Sequence, residues 1–278
     1  MGLAADNANN ARNPLAASGA NSFPASISAP RPNLSISPTP APQSAFDPAP
    51  RIGVLIPAYN EARSIGLVLA EIPAGLAQEV VVVDNASTDG TAAAARAGGA
   101  TVVAEPRPGY GAACLAGLAY YAAQPAHQRP EILVFLDGDH SDYPEEMPRL
   151  LAQLRTGGAD MVIGSRALGQ REPGAMLPQQ LFGNWLATRL LRLRYGGTHT
   201  DLGPFRAIRA DALARLDMQD TTYGWTVEMQ VKAARLGLRV AEVPVRYRRR
   251  IGVSKISGTV KGVLGAGYKI LWTIFKYW

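Results

Sequence analysis

The sequence predicts an α/β fold with a mainly parallel central sheet, and three features of the chain lead to that prediction. From residue 52 onward, short apolar segments rich in Val and Ile alternate with longer segments that have helical spacing. Such alternation is typical of βαβ units, whose strands run parallel with right-handed crossovers. Several apolar segments end abruptly in Asp, Ser or Gly, as strands do where their carboxyl ends form a ligand-binding edge. The 47% hydrophobic content of the 278 residues is enough for the core of one sizeable domain.

Residues 1–50 differ in composition from the rest of the chain. They are rich in Ala, Ser, Asn and Pro, and their Pro-x-Pro triplets break any regular structure. This composition predicts a disordered tail. The tail lacks the basic start and continuous apolar region of a secretory signal, so we expect no export of that kind. Because the single cysteine, Cys114, requires no oxidising compartment, we expect the protein to be cytoplasmic.

The predicted strands and helices alternate along the chain. The strands share a short apolar run and are predicted at residues 52–56, 80–83, 101–104, 132–136, 161–164, 201–209 and 239–243. The helices share Ala-rich or amphipathic spacing and are predicted at residues 61–71, 91–97, 109–123, from 144 onward, and at 181–194, 226–236 and 260–278. The uncharged run at 108–128 is Gly- and Ala-rich and is broken by Gln124-Pro125, which favours a buried helix over a membrane span.

The chain is organised around the end of the fourth predicted strand, where an apolar run stops at Asp137-Gly138-Asp139. A central parallel strand would deliver these two carboxylates to the cleft at the sheet edge. Carboxylates two residues apart in a turn can converge on one hard cation, and Mg²⁺ or Mn²⁺ held in this way characteristically bridges the phosphates of a substrate. Taken alone, the pattern also fits Asp residues that cap a turn before the helix at Pro144.

Positive charge is concentrated between Arg246 and Lys255, in a chain whose net charge is +6 and whose pI is near 9.6. This balance favours an anionic partner, and the small residues of the segment suit an anion-binding loop; a solvated charged loop is the alternative. Residues 259–278 combine Trp, Tyr and aliphatic residues with three lysines. The lysines argue against a spanning helix. An amphipathic helix at a bilayer surface and a helix packed on the domain both stay open.

Four motifs follow one another in the chain. They are Ile56-Pro57-Ala58-Tyr59-Asn60-Glu61, Val83-Asp84-Asn85-Ala86-Ser87-Thr88-Asp89-Gly90-Thr91, Asp137-Gly138-Asp139, and Arg249-x-x-Gly-x-Ser254-Lys255. In order and spacing they resemble the family 2 glycosyltransferases, most closely the dolichol-phosphate mannose synthase and dolichyl-phosphate glucosyltransferase branch. The resemblance covers about residues 51–258. It implies a GT-A fold, which is a Rossmann-like nucleotide-sugar-binding domain, and a metal-diphosphate site at the Asp-x-Asp pair.

The resemblance also implies a nucleotide-sugar pocket. Its residues would be Pro57, Tyr59, Glu61, Asp84, Gly109 and Gly111. Asp84 would accept a hydrogen bond from the base; because a carboxylate can only accept, it suits a uracil or a guanine N–H and leaves UDP and GDP both open. Gly109 and Gly111 would let the backbone and a helix N-terminus approach the nucleotide, although they could equally serve only to form the turn.

By the same resemblance, Asp139 with Asp137 would hold Mg²⁺ or Mn²⁺ against the donor diphosphate. The third protein ligand stays open, because Ser141 stands where relatives often have Gln. The expected acceptor is a polyprenyl phosphate, which is already anionic and needs cations rather than a general base. In-line attack by that phosphate would invert the anomeric configuration. The residues that would hold it are Arg249, Ser254 and Lys255, with help from Arg166.

Several other functions are weighed against this one. A hydroxyl acceptor would need a base, for which Glu228 or Asp201 is the candidate; Val227 stands where many family members have a second acid, which mildly favours a phosphate acceptor. A soluble phosphorylated acceptor and a noncatalytic sugar-nucleotide-binding subunit are further alternatives. The turn after the first strand lacks the Gly-x-Gly-x-x-Gly of a dinucleotide dehydrogenase. Nucleic-acid binding is not expected, because only one loop is strongly basic.

Overall fold

The computed structural model describes residues 49–252 and 260–277. Most of the predicted tail, together with Ser254 and Lys255 of the basic segment, lies outside the described residues. A seven-stranded sheet, in the order β3-β2-β1-β4-β6-β5-β7, forms the centre of the fold. Its strands are β1 (Ile52–Ala58), β2 (Glu79–Asp84), β3 (Thr101–Ala104), β4 (Ile132–Phe135), β5 (Met161–Ser165), β6 (Arg206–Arg209) and β7 (Val240–Pro244).

The sheet is mostly parallel, as expected. Only β6 runs antiparallel to its neighbours, β4 and β5. The strands β1 to β5 therefore end at one edge, called here the carboxyl edge, and the amino end of β6 also lies there, because Arg206 pairs with Phe135. The prediction of a strand over residues 201–209 was too long, since only the last four of those residues pair.

The helices alternate with the strands. They are α1 (Ile65–Ala70), α2 (Thr91–Ala97), α3 (Tyr110–Ala123), α4 (Met147–Arg155), α5 (Pro178–Tyr195), α6 (Ala210–Leu216), α7 (Trp225–Arg235) and α8 (Val260–Lys276). The first helix begins four residues later than predicted, because Asn60 has a φ of 54° and residues 61–64 form a turn. A 3₁₀ turn, Pro144–Glu146, precedes α4, and α6 was not predicted.

The core lies on both faces of the sheet. Strand β1 is buried along its whole length, as its uninterrupted apolar sequence requires of a central parallel strand. Helices α1, α2 and α4 cover one face, through residues such as Ile65, Ala95 and Leu150. Helices α3, α6 and α7 cover the other, where Trp225 packs against Phe135. Burial of this apolar surface is the main stabilising term of the domain.

The C-terminal helix α8 packs on the domain through one face. Ile274 joins a small cluster with residues of α5 and α7, and Thr273 beside it is also buried. The opposite face exposes three aromatic side chains, Tyr268, Trp272 and Phe275. The helix therefore combines a domain-facing side with an exposed aromatic side. Among the described residues, no helix is long and apolar enough to cross a membrane.

Candidate active site

The loop after β4, residues 136–142, is called here the acidic loop, and it lies at the carboxyl edge of the sheet. The side chain of Asp139 is 94% buried, and its Oδ1 accepts hydrogen bonds from the backbone N–H and the hydroxyl of Ser141. A Cβ on Gly138 would lie 3.4 Å from the carbonyl oxygen of Pro57, so the loop runs close to the end of β1. The predicted metal-binding carboxylates and the predicted nucleotide pocket therefore share one edge of the sheet.

The electrostatics of this loop fit a bound cation. Burial, and then the carboxylate of Asp139, raise the pKa of Asp137 to about 7. Asp137 Oδ1 is buried and has no hydrogen-bond partner among the described residues, and the same is true of both carboxylate oxygens of Asp142. Burial and the neighbouring carboxylate of Asp137 likewise raise the pKa of Asp142. Buried carboxylate oxygens without donors are costly unless a cation compensates them.

The donor set suits a hard divalent ion. Asp137 and Asp139 present carboxylate oxygens, which Mg²⁺ and Mn²⁺ prefer. The part of the chain that the structure describes holds no group of three or more His, Cys, Asp or Glu residues able to hold a metal ion. Mg²⁺ sites of this kind commonly use one or two carboxylates and complete the shell with substrate phosphates and water. The residues present therefore fit a cation that binds together with a diphosphate.

The basic segment crosses this loop as an extended chain rather than a free loop. Its backbone N–H groups at Arg248 and Ile251 donate to the carbonyl oxygens of Ser141 and Asp139, at 3.0 and 2.9 Å. On the other side, the N–H of Tyr247 donates to the carbonyl of Gln170. The four arginines of the segment differ in what their side chains reach.

One of these arginines reaches the acidic pair. Arg250 Nη1 lies 2.8 Å from Asp139 Oδ2. The guanidinium of Arg249, which sequence reasoning singled out, instead donates through Nε to the carbonyl of Pro173 at 2.6 Å. The other two arginines are also paired, Arg248 with Glu71 and Arg246 with Glu145 and Glu146. Arg250 is thus a candidate site residue that the motif comparison missed.

Arg166 forms a bidentate ion pair with Asp201, with N–O distances of 2.8 and 2.7 Å. Its guanidinium also stacks on the ring of Tyr247, 5.0 Å from the centroid. Burial alone would raise the pKa of Asp201, but the Arg166 guanidinium holds that pKa below its usual range. Asp201 is therefore anionic but already neutralised, which makes it a weak candidate for a general base. Arg166 lies beside the basic segment, as a phosphate-binding role would require, with much of its charge offset.

The predicted nucleotide residues follow β1 and β2. Asp84 pairs with Ala58 in the sheet, and its carboxylate accepts a hydrogen bond from the N–H of Ser87 at 3.2 Å. Tyr59 is exposed beyond the end of β1, and the N–H of Glu61 donates to the hydroxyl of Thr91 at 2.8 Å. These contacts bring the first two motifs together at the carboxyl edge, on the same side as Pro57.

Gly109 and Gly111 are required by a contact within the protein. A Cβ on Gly109 would lie 2.2 Å from the carbonyl oxygen of Thr221, and a Cβ on Gly111 would lie 1.9 Å from that of Asp220. Gly109 also has a φ of 145°, which side chains disfavour. Their small size is explained by this packing, and a contact of these glycines with the nucleotide stays a prediction.

The contacts of Glu228 hold neighbouring segments of the fold together. It is buried in α7, where it accepts hydrogen bonds from the N–H of Asp220 at 2.7 Å and the hydroxyl of Tyr277 at 2.9 Å, and pairs with Lys232 at 2.8 Å. The structure does not connect it to the acidic loop through any of these contacts. Its use as a general base stays a prediction that these partners make less favourable.

Near the site lies a buried arginine, Arg206, that the sequence analysis did not identify. Arg206 donates to the carbonyl oxygens of Gly203 and Thr226, and burial lowers its pKa to about 10. It lies at the amino end of β6, next to the carboxyl end of β4. A charged residue between apolar Phe205 and Ala207 is the signal that could have identified it.

The fold resembles that of GT-A glycosyltransferases, and comparison with known proteins agrees. The sequence model of Glycosyl transferase family 2 matches residues 53–217. An uncharacterized glycosyltransferase of Mycobacterium tuberculosis is 39% identical over 76% of this chain and 92% of its own length. The undecaprenyl-phosphate mannosyltransferase of Micrococcus luteus is 36% identical over 76% of this chain and 90% of its own.

Solved structures agree with the sequence comparison. Glucosyl-3-phosphoglycerate synthase of M. tuberculosis, crystallised with Mn²⁺, UDP and glucosyl-3-phosphoglycerate, superposes with a TM-score of 0.65 at 26% identity, over 83% of this chain and 81% of the other. The chain belongs to glycosyltransferase family 2 and is a glycosyltransferase.

Proposed function

We propose that this protein is a metal-dependent, inverting glycosyltransferase that moves a hexose from a UDP- or GDP-sugar to a polyprenyl phosphate. The observation that carries the proposal is the contact of the buried carboxylate of Asp139, which lies beside that of Asp137, with the cationic side chain of Arg250. One side of this arrangement suits a cation with a diphosphate, and the other suits a second phosphate. The name of the M. luteus relative, an undecaprenyl-phosphate mannosyltransferase, supports the choice of acceptor.

The donor would bind along the carboxyl edge. Tyr59 and Asp84 would contact the base and its ribose, while the acidic loop would hold the diphosphate. Mg²⁺ or Mn²⁺ would be held by Asp137 and Asp139, and when bound it supplies Lewis-acid stabilisation of the charge that develops on the leaving diphosphate. The crystallisation of a structural relative with Mn²⁺ and UDP supports this assignment.

The acceptor would attack without a protein base. A phosphate monoester has a second pKa near 6, so its oxygen is largely anionic at neutral pH and needs orientation by cations. Arg250 would hold it beside the donor, with Arg249, Ser254 and Lys255 on the same segment. The two carboxylates considered as bases are both neutralised in the structure, Asp201 by Arg166 and Glu228 by Lys232. This pairing favours an anionic acceptor over a hydroxyl acceptor.

The exposed aromatic face of α8 supports peripheral contact with a membrane at its cytoplasmic side. Tyr268, Trp272 and Phe275 are between 53% and 69% exposed and lie on the side of the helix that faces away from the domain. Aromatic residues flanked by lysines are typical of helices that lie at a bilayer surface. A polyprenyl phosphate in that membrane would approach the protein from the same side.

A second candidate is transfer to a soluble phosphorylated acceptor with the same donor chemistry. The likeness to glucosyl-3-phosphoglycerate synthase favours it, since that enzyme was crystallised with a product of this kind. Both candidates use the basic segment to bind a phosphate, and they differ only in the molecule that carries this phosphate. An assay that varies the acceptor can therefore distinguish the two candidates, whereas the site residues cannot.

The test is a panel of UDP- and GDP-sugars with Mn²⁺ or Mg²⁺, scored by release of nucleotide. Each donor is offered with a polyprenyl phosphate in detergent, with 3-phosphoglycerate, or with no acceptor. Release that depends on the lipid phosphate is the expected result. Release that depends on 3-phosphoglycerate alone would select the second candidate, and an absence of release with every donor would contradict the enzyme assignment.

A further inference from the structure

A loop far from the motifs forms the support of the α3 N-terminus. This segment, residues 217–224, is called here the 220 loop. The N–H of Gly111 donates to the carbonyl of Thr222 at 3.2 Å, and the N–H of Ala112 donates to that of Thr221 at 2.9 Å. These N–H groups belong to the first turn of α3, which has no partners for them within the helix. The backbones approach closely here, because a Cβ on Gly111 would lie 1.9 Å from the carbonyl oxygen of Asp220.

The same loop is held on its other side by the C-terminal helix. Asp220 Oδ2 pairs with Lys269 Nζ of α8 at 2.9 Å, while Asp220 Oδ1 accepts from the N–H groups of Thr222 and Gly224 at 2.7 and 3.2 Å. One carboxylate thus shapes the loop with one oxygen and binds α8 with the other. The side chain of Asp220 is 93% buried and that of Lys269 is 67% buried, so solvent screens this pair less than it screens a fully exposed one.

A second connection runs in parallel with the first. The hydroxyl of Tyr277, just beyond α8, donates to Glu228 Oε1 at 2.9 Å, and Glu228 Oε2 accepts from the N–H of Asp220 at 2.7 Å. Both connections from the C-terminal helix converge on Asp220. The helix is therefore attached to the domain at the residue that also supports α3.

The supported end of α3 reaches the candidate donor site. Tyr110, the first residue of the helix, is partly buried, and its buried hydroxyl lies near the acidic loop, where burial and then the carboxylate of Asp137 raise its pKa. The N–H of Gly109 donates to Asn85 Oδ1 at 2.8 Å, directly after Asp84. A displacement of the α3 N-terminus would therefore move groups beside both the diphosphate carboxylates and the base-binding carboxylate.

We propose that Asp220 and Lys269 are positioning residues of the donor site, through which the C-terminal helix holds the 220 loop and the α3 N-terminus in place. The inference rests on the proposed function, because it takes the carboxyl edge beside Asp84 and Asp137 as the nucleotide site. It adds that α8 contributes to donor binding through Lys269, which flanks its exposed aromatic face. Binding of that face to a membrane would then change the position of a helix whose ion pair and hydrogen bonds lead to the nucleotide pocket.

The experiment compares nucleotide binding by the full chain with that of single variants. Lys269→Met keeps most of the side-chain length and removes the charge, and Asp220→Asn keeps an oxygen for the loop N–H groups while removing the ion pair. Lys269→Arg is the conservative variant. Arg235→Met is the control, because it removes one positive charge from an exposed position in the last turn of α7. Calorimetry with UDP and with GDP, each with Mn²⁺, gives the dissociation constant without any acceptor.

We expect Lys269→Met and Asp220→Asn each to weaken nucleotide binding by about 3- to 10-fold, and their combination to be no worse than either alone. Amide exchange at Gly111 and Ala112 should quicken by a similar factor, Lys269→Arg should retain both readouts near those of the unaltered protein, and Arg235→Met should leave both unchanged. In turnover, the KM for the donor should rise and that for the acceptor should not.

Two outcomes overturn the inference alone, and a third overturns the proposed function together with it. If the unaltered protein binds a nucleotide and both single variants bind it equally well, Asp220 and Lys269 do not position the donor site. If the effects of the two changes add in full, the residues do not act through their ion pair. If the unaltered protein binds neither nucleotide, the proposed function itself fails, and this inference fails with it.

Discussion

Arg250 Nη1 and Asp139 Oδ2 lie 2.8 Å apart and join the basic segment to the acidic loop at the carboxyl edge of the sheet. The two residues are 111 positions apart in the sequence and are brought together because the basic segment runs beside the acidic loop. A phosphate bound by this guanidinium would be adjacent to a diphosphate bound at the carboxylates. Group transfer requires such closeness, because positioning of the two reactants accounts for much of the rate.

Removal of the negative charge at Asp139 should abolish metal-dependent donor binding. Asp139→Asn keeps the shape of the side chain and an oxygen for Ser141, so we expect the fold to survive while turnover falls by roughly 10³-fold. Titration of UDP and GDP with and without Mn²⁺ measures the effect. Asp211→Asn, an exposed acid in α6, serves as the control. Metal-stimulated binding that persists in Asp139→Asn would exclude this residue as a ligand.

Arg250 should matter more than Arg249 for use of the acceptor. Arg250→Met removes the cation beside the acidic pair, and the loss of a charge-assisted contact to phosphate should lower kcat/KM for the acceptor by roughly 10- to 100-fold. Arg249→Met should have a smaller effect, because its guanidinium is directed to the carbonyl of Pro173. Initial rates at varied acceptor concentration provide the comparison. The reverse order of effects would show that the two side chains exchange places when substrates bind.

A methyl group at Gly111 should destabilise the domain. Gly111→Ala places a Cβ 1.9 Å from the carbonyl oxygen of Asp220, so the α3 N-terminus must separate from the 220 loop. We expect a loss of roughly 2–3 kcal/mol in the free energy of unfolding, measured by urea denaturation. Gly183→Ala in α5, where no atom lies within 4 Å of the added Cβ, should instead stabilise by about 0.5–1 kcal/mol. Equal effects of the two changes would contradict the packing argument.

The contribution of Glu105 to stability should depend on pH. The side chain and N–H of Arg107 donate to this carboxylate and lower its pKa from 4.5 to about 2. Because the folded-state pKa is the lower one, the stabilisation is present above pH 4.5 and is lost as the pH falls toward 2. Glu105→Gln should therefore lower the urea midpoint at pH 7 and have a diminishing effect below pH 4.5. A difference between the two proteins that stays constant down to pH 3 would argue against the ion pair.

Much of the fold followed from local patterns in the sequence. Apolar runs such as Val80–Val83 and Met161–Gly164 predicted strands at the right places, and their abrupt ends in Asp and Ser predicted the functional edge. The family and the enzyme class were predicted from four motifs in order. These features depend on hydrophobic periodicity and turn chemistry, which are properties of neighbouring residues.

The pairing of charges was not predictable in the same way. The sequence shows a run of arginines, but which of them reaches Asp139 depends on the register of that segment against residues 139–142, and a shift of one residue would exchange Arg249 for Arg250. The pairing of Arg166 with Asp201 likewise depends on loops that only the folded chain brings together. The direction of β6 was also missed, because a four-residue strand has the same pattern in either direction.

By itself, then, the sequence determined the α/β architecture and predicted the edge at which the candidate site lies and the kinds of residue that form it, since each follows from local physical chemistry. Tertiary structure decided which cation faces the acidic pair, why Gly109 and Gly111 must be small, and that the C-terminal helix is attached at Asp220. Each of these depends on contacts between segments tens of residues or more apart. Such contacts are selected by packing of the whole core, where one arrangement satisfies the buried groups together.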